Sequence, residues 1–203
     1  MPREDKPPAL KGQGSALSAE VLREAGTKAL QNASELVEEA RVLLELGHWS
    51  RAVFLCCIAG EELGKCFMSL SAVLNRRMGR FNERRYRERF RRHQEKTGLL
   101  NFFEEVFVSS SLKVPLEPQY IRDLEKMKLA SLYCDFYGAH ACAPSELITE
   151  QLARNVLRLA QERVEHFAAS VRPYFDRALD IDPAEAARFQ DEFLRLMDVR
   201  DGV

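Results

Sequence analysis

Two short stretches of this sequence hold residue types that chemistry can use. In the first, Glu61-Glu62-Leu63-Gly64-Lys65, three charges sit inside a run from Ala52 to Leu74 that is otherwise uncharged. On a helix Glu61 and Lys65 stand one turn apart on one line, and Glu62 lies beside them at i, i+3 from Lys65. An unpaired charge buried in such a segment costs several kcal/mol, so these groups must be paired, hydrated in a cleft, or used. They are therefore either an ion-pair network that fixes how neighbouring helices dock or a polar cleft that holds a substrate. Gly60 and Gly64, four apart, strip side chains from an adjacent line and let another backbone come close.

The second stretch runs from Arg84 to Lys96 and gathers much of the positive charge around His93. Guanidinium groups are suited to phosphate, and therefore to RNA or nucleotide. An imidazole titrates near neutral pH and is the side chain best placed to move protons there. Arg87, His93 and Lys96 are accordingly the candidate catalytic residues for chemistry at a phosphodiester. Arg87 and His93 are about 120° apart on an ideal helix, so joint action needs an irregularity or a broad cleft. The competing reading is a solvated face, balanced by the acidic first helix with Glu35, Glu38, Glu39 and Glu45. His48, His140 and His166 fall in a turn, a loop and an amphipathic helix, where structural or solvated roles are the rule. The position three after Glu62 is Lys65, a poor ligand, and Glu165-His166 has the wrong spacing for a di-metal bundle. The reading includes no metal and no cofactor.

The elements that must position these residues are helical. The chain has 203 residues, 46% of them hydrophobic and 30% charged, with a net charge of −1, so any pull on nucleic acid is local. Residues 1–15 read as a disordered leader without the apolar run of a signal peptide, which points to the cytoplasm. Residues 16–180 read as one helical domain, and 181–203 as a C-terminal helix and tail. Ser18 predicts the start of a first helix, with apolar positions at Leu22, Ala25, Ala29, Ala33, Leu36, Val37, Ala40, Leu43 and Leu44. Gly47 ends it, and a short turn returns the chain antiparallel. The second helix, about 50–76, is apolar all round and reads as the buried centre of a bundle; its mid-helix charges argue against a membrane span. A third helix is expected over 82–108, with Tyr86 and Phe90 on its packing line, and a fourth over 119–134. A loop through 138–144 follows, then a long helix over 145–179 that Pro173 kinks or shortens, then a last helix from Pro183 to Met197. The expected class is all-α, an antiparallel helical bundle with a long buried central helix. The cysteines at 56, 57, 66, 134 and 142 form no C-x-x-C pair and read as reduced core thiols.

Several segments together resemble the AbiV abortive-infection family. Ala59-Gly60-Glu61-Glu62-Leu63-Gly64-Lys65 is similar to its Glu-Glu-Leu-Gly-Lys motif, and Gly47-His48-Trp49-Ser50-Arg51-Ala52 to the lead-in. His93-Gln94-Glu95-Lys96 matches its His-x-x-Lys element. Lys128, Leu132-Tyr133-Cys134-Asp135, Pro144 and Ile148-Thr149 follow in the family's order. Cys134 replaces the usual Val and Gln94 a frequent Lys, and the resemblance runs from about Ala29 to Phe167. Arg87 and His93 also fit the Arg-x4-6-His signature of the wider HEPN ribonuclease superfamily. The resemblance implies a HEPN-like fold and a role in stopping phage propagation. It implies further a metal-independent endoribonuclease acting on RNA, built as a homodimer, with a phage protein as trigger or an antitoxin as partner and no membrane. The alternative is a non-catalytic protein that docks a phage or host partner through its basic helix and polar cleft. Motif order and burial cost place Lys128, Tyr133 and Asp135 with Glu61, Glu62 and Lys65 in that cleft. The phenylalanines at 102, 103 and 107 are the candidate dimer surface.

Overall fold

A computed structural model describes residues 16–91, 126–137 and 140–188. Helix α1 covers Ala19–Glu45, α2 Trp49–Arg77 and α3 Glu83–Arg91. Residues 126–132 form a helical stretch, α4, followed by strands β1 (Asp135–Tyr137) and β2 (His140–Cys142). Helix α5 is a single turn, Pro144–Leu147, α6 spans Glu150–Ala178, and residues 183–188 are again helical (α7). The architecture is the expected all-α helical bundle.

The boundaries follow from local chemistry. Ser18 caps α1, its side chain accepting from the Val21 N–H at 3.2 Å. Both α1 and α2 end in a left-handed glycine, Gly47 at φ +80° and Gly79 at φ +69°. Each is followed by the paired backbone bonds of a Schellman cap: Gly47 to Leu44 and His48 to Leu43, then Gly79 to Arg76 and Arg80 to Asn75. The short Leu46–His48 turn lays α2 antiparallel to α1.

Helices α1, α2 and α6 form the core. Leu22, Leu63, Val73 and Phe167 are each almost wholly buried within it. Gly26 of α1 shows how close the approach is. A Cβ there would lie 2.2 Å from the Phe175 ring of α6 and 3.0 Å from Ser69 Cβ of α2. That contact joins the start of α1 to the far ends of α2 and α6, so α6 runs parallel to α2.

Five sequence expectations need correction. The segment expected as a loop through 138–144 contains half of an antiparallel hairpin, with Phe136 paired to Ala141; three-residue strands are too short to leave a readable alternation. The long helix does not start at Ser145. Ile148 and Thr149 are extended, and Thr149 caps a new helix by accepting from the Leu152 N–H at 3.3 Å. Position 173 lies inside uninterrupted helix, so the proline does not end α6. The fourth helix stops at residue 132, and Cys134 is exposed rather than a core thiol. Cys56 and Cys66 are buried as expected, and burial pushes both thiols up to about 12. The leader 1–15, the parts of the third and fourth helices within 92–125, and the end of the last helix lie outside the described residues. Among the described residues, no helix is long and apolar enough to cross a membrane.

Candidate functional site

Helix α2 carries its charges inward. Glu61 and Glu62 are buried, and each meets an ammonium. Glu62 pairs with Lys65 one turn on along the same helix. Glu61 reaches instead to Lys128 of α4, Nζ to Oε1 at 2.7 Å, with only 5% of the carboxylate side chain and 11% of the lysine exposed. The two lysines neutralise two carboxylates that the apolar segment could not hold alone. Glu61–Lys128 spans 67 residues of chain and is the polar lock between α2 and α4. Ser131, fully buried one turn beyond Lys128, donates its hydroxyl back to the Lys128 carbonyl at 2.8 Å.

Of the other residues placed in this cleft from sequence, Tyr133 and Asp135 are not part of the buried cluster. Tyr133 is 58% exposed and Asp135 is exposed at the start of β1. Seven steps along a continuous helix would have put Asp135 almost on the line of Lys128. The helix instead stops at 132, and the extended chain turns both side chains out.

The first turn of α3 is held against α2 by a hydroxyl pair. Ser69 donates to the Lys65 carbonyl at 2.8 Å, so its single proton is committed. The contact of 3.0 Å between Ser69 Oγ and the Tyr86 hydroxyl therefore has Tyr86 as donor. Burial raises the Tyr86 pKa above its ordinary value. Its ring packs between Phe81 and Phe90, with centroids 5.7 and 5.4 Å away. Lys65 Nζ lies 5.7 Å from the Phe90 ring centre, which ties the buried charge cluster to the basic helix. The hydroxyl of Ser69 was not singled out in the sequence; its place one turn past Lys65 in an apolar helix is the signal that could have found it.

Arg87 borders, with Tyr86 and Phe90, a groove of about 200 Å³ that Leu17, Val21 and Leu22 line from the α1 side. It is held by Glu83, Nε at 2.9 Å and Nη2 at 2.8 Å from the same oxygen. Glu83 also accepts from the Leu17 N–H at 3.0 Å. The Leu17 amide first and the Arg87 guanidinium second hold this carboxyl below the usual carboxylate range. His93 and Lys96, the other candidate catalytic residues, lie outside the described residues, as do Phe102, Phe103 and Phe107. Among the described residues no group of three or more His, Cys, Asp or Glu side chains could hold a metal ion.

The family model described as AbiV, of the HEPN type, matches residues 21–165. The chain belongs to the AbiV family. The matched span contains the Glu61–Lys128 lock, all of α3, and the positions of His93 and Lys96. No curated protein and no solved structure matches the chain. Membership in AbiV carries with it a HEPN-type, abortive-infection setting for the bundle.

Proposed function

We propose that this protein is an abortive-infection effector in the cytoplasm that halts phage propagation by cutting RNA without a metal. The observation that carries the proposal is the AbiV match over 21–165, which spans the segment where Arg87 and His93 stand with five residues between them in a field of arginines. In this reaction the RNA 2′-hydroxyl attacks the adjacent phosphate. His93 moves the proton, and Arg87 with Lys96 neutralises the charge that develops on the phosphorane. The products are a 2′,3′-cyclic phosphate and a free 5′-hydroxyl. The pairing of Lys65 with Glu62 makes Lys65 a support of the α3 platform rather than a direct contact of RNA.

The decisive experiment incubates purified protein with RNA in EDTA, wild type beside His93→Ala, both checked for folding by circular dichroism. Cleavage by wild type alone, with loss of phage protection in the variant, supports the reading. Equal activity of the two proteins sinks it. A homodimer that brings two copies of the Arg87–His93 segment together belongs to the same proposal. A sedimentation mass of one chain at micromolar concentration refutes that part. The trigger or neutralising partner is taken to be a protein, of phage or host.

A specific observation favours a second reading. Arg87 is doubly hydrogen-bonded to Glu83. On that reading the basic helix docks a protein partner and cuts nothing. Phage protection that survives His93→Ala, with no RNA cleavage by either form, would select it.

A further inference from the structure

Two arginines of α3 are neutralised within the helix. Arg84 is paired with Glu88 at 3.0 Å, and Arg87 with Glu83 at 2.8 Å. Arg85 and Arg89 turn toward the end of α2, where together with Arg80, which precedes the helix, they border a cavity of about 310 Å³. No carboxylate lines that cavity among the described residues. Among the described residues the guanidinium groups of Arg80 and Arg85 make no ion pair, although the same short helix supplies a glutamate to Arg84 and to Arg87. Like charges gathered around one cavity repel, and an anion between them relieves the cost.

The cavity is built rather than incidental. The cap after Gly79 pins Arg80 through its N–H to the Asn75 carbonyl at 2.8 Å. Arg85 and Arg89 are one turn apart on α3, and the Tyr86–Ser69 contact fixes that helix on α2. Asn82 caps α3, its Oδ1 accepting from the Arg85 N–H at 2.9 Å, which leaves its amide nitrogen as a donor. Asn75 donates its amide nitrogen to Ser71, which leaves its oxygen as an acceptor. The Phe81 ring forms part of the wall. Guanidinium forks for a phosphate, an aromatic ring, and one free amide donor beside one free acceptor match a nucleoside phosphate. The volume lies at the lower end of the range that holds small ligands, about 300–1,000 Å³.

We infer that the cavity between α2 and α3 is a binding pocket for a nucleoside phosphate, with Arg80 and Arg85 gripping the phosphate. The site lies on the face of α3 away from Arg87. The phosphate can come from a free mononucleotide or from an RNA strand.

Equilibrium binding of 5′-AMP, adenosine and an oligouridylate to the full chain distinguishes the sources. The His93→Ala background keeps RNA intact. Binding of 5′-AMP but not adenosine, weakened on the order of 10-fold or more in the Arg80→Ala/Arg85→Ala double variant, is expected for a free nucleotide. Binding of oligouridylate alone, with the same dependence on the two arginines, assigns the pocket to strand phosphates. Arg84→Ala, outside the cavity, should leave either affinity unchanged. Arg85→Lys, which keeps the charge but loses the fork, should fall between wild type and alanine. If neither ligand binds, or the double variant binds as tightly as wild type while still folded, the inference is overturned and the arginines are left to an acidic protein surface. Failure of RNA cleavage in EDTA does not touch this result, because binding is read without turnover.

Discussion

Helices α2 and α3 adjoin in sequence and handle charge in opposite ways. Across the middle of α2 there are only three charges, and they are buried or nearly so and paired, one of them through Lys128 on another helix. In α3 charge is the rule, and no residue of the helix is buried. What matters for stability is therefore where a charge sits. In α2 the low-dielectric surroundings make each partner obligatory, whereas in α3 water screens the pairs and leaves some arginines free for an external ligand.

The sharpest way to break this comparison is to remove one partner of the α2 lock. Glu61→Ala should destabilise the protein by about 3–5 kcal/mol, because it strands Lys128 in the interior. Urea unfolding measures it, with Glu150→Ala as the surface control; the Glu150–Arg154 pair is about half exposed and should contribute about 0.5 kcal/mol or less. Equal losses at 61 and 150 would show that the lock is hydrated and that the contrast is false.

A second expectation concerns the packing around α2. Gly26→Ala forces a Cβ against Phe175, which is 2% exposed and has nowhere to move. Overpacking should cost about 1–3 kcal/mol, against a gain of up to about 1 kcal/mol in helix propensity. A net stabilisation would mean that α1 and α6 sit further apart than described.

The joint between the two helices comes third. Tyr86→Phe keeps the ring and removes the hydrogen bond to Ser69, and should cost about 1 kcal/mol. It also has a pH signature. Because the folded-state pKa of Tyr86 is raised, an unfolded chain ionises first as the pH climbs past the ordinary tyrosine value of about 10. Stability from this group is complete below that value and is lost above it. Wild type should lose more stability than Tyr86→Phe between neutral and strongly alkaline pH, as read from paired melting curves.

The smallest effect is expected on α3 itself. Arg84 has a 90% exposed side chain, and Arg84→Ala should leave the melting temperature unchanged within error. A clear loss would mean that the basic helix carries structural weight that its exposure conceals.

Much of the architecture was legible in the chain because it depends on neighbours in sequence. The cap at Ser18, the glycines that end α1 and α2, the apolar periodicity of α1 and the uniform apolarity of α2 each act within a turn or two of helix. Burial of Glu61 and Glu62 was legible too, as was the Glu62–Lys65 pairing, since i, i+3 groups meet on any helix. The motif order likewise sufficed for the AbiV family, which the match over 21–165 bears out.

Other features were decided only when the helices packed. That Glu61 takes Lys128 while Asp135 turns outward depends on where α4 stops. Periodicity does not mark that point, because a helix end and a three-residue strand involve too few residues to leave a pattern. The pairs that neutralise Arg84 and Arg87 are local i, i+4 contacts, but where Arg85 and Arg89 turn is a tertiary matter. The glutamates at 83 and 88 serve Arg87 and Arg84, while docking through Tyr86 turns Arg85 and Arg89 toward Arg80 at the end of α2. The sequence by itself determined that charge would gather on this helix, since composition and local helix propensity suffice for that. Only the tertiary structure gathered Arg85, Arg89 and Arg80 around a cavity that no carboxylate lines among the described residues, because that placement depends on the docking of α3 on α2 through Tyr86 and Ser69.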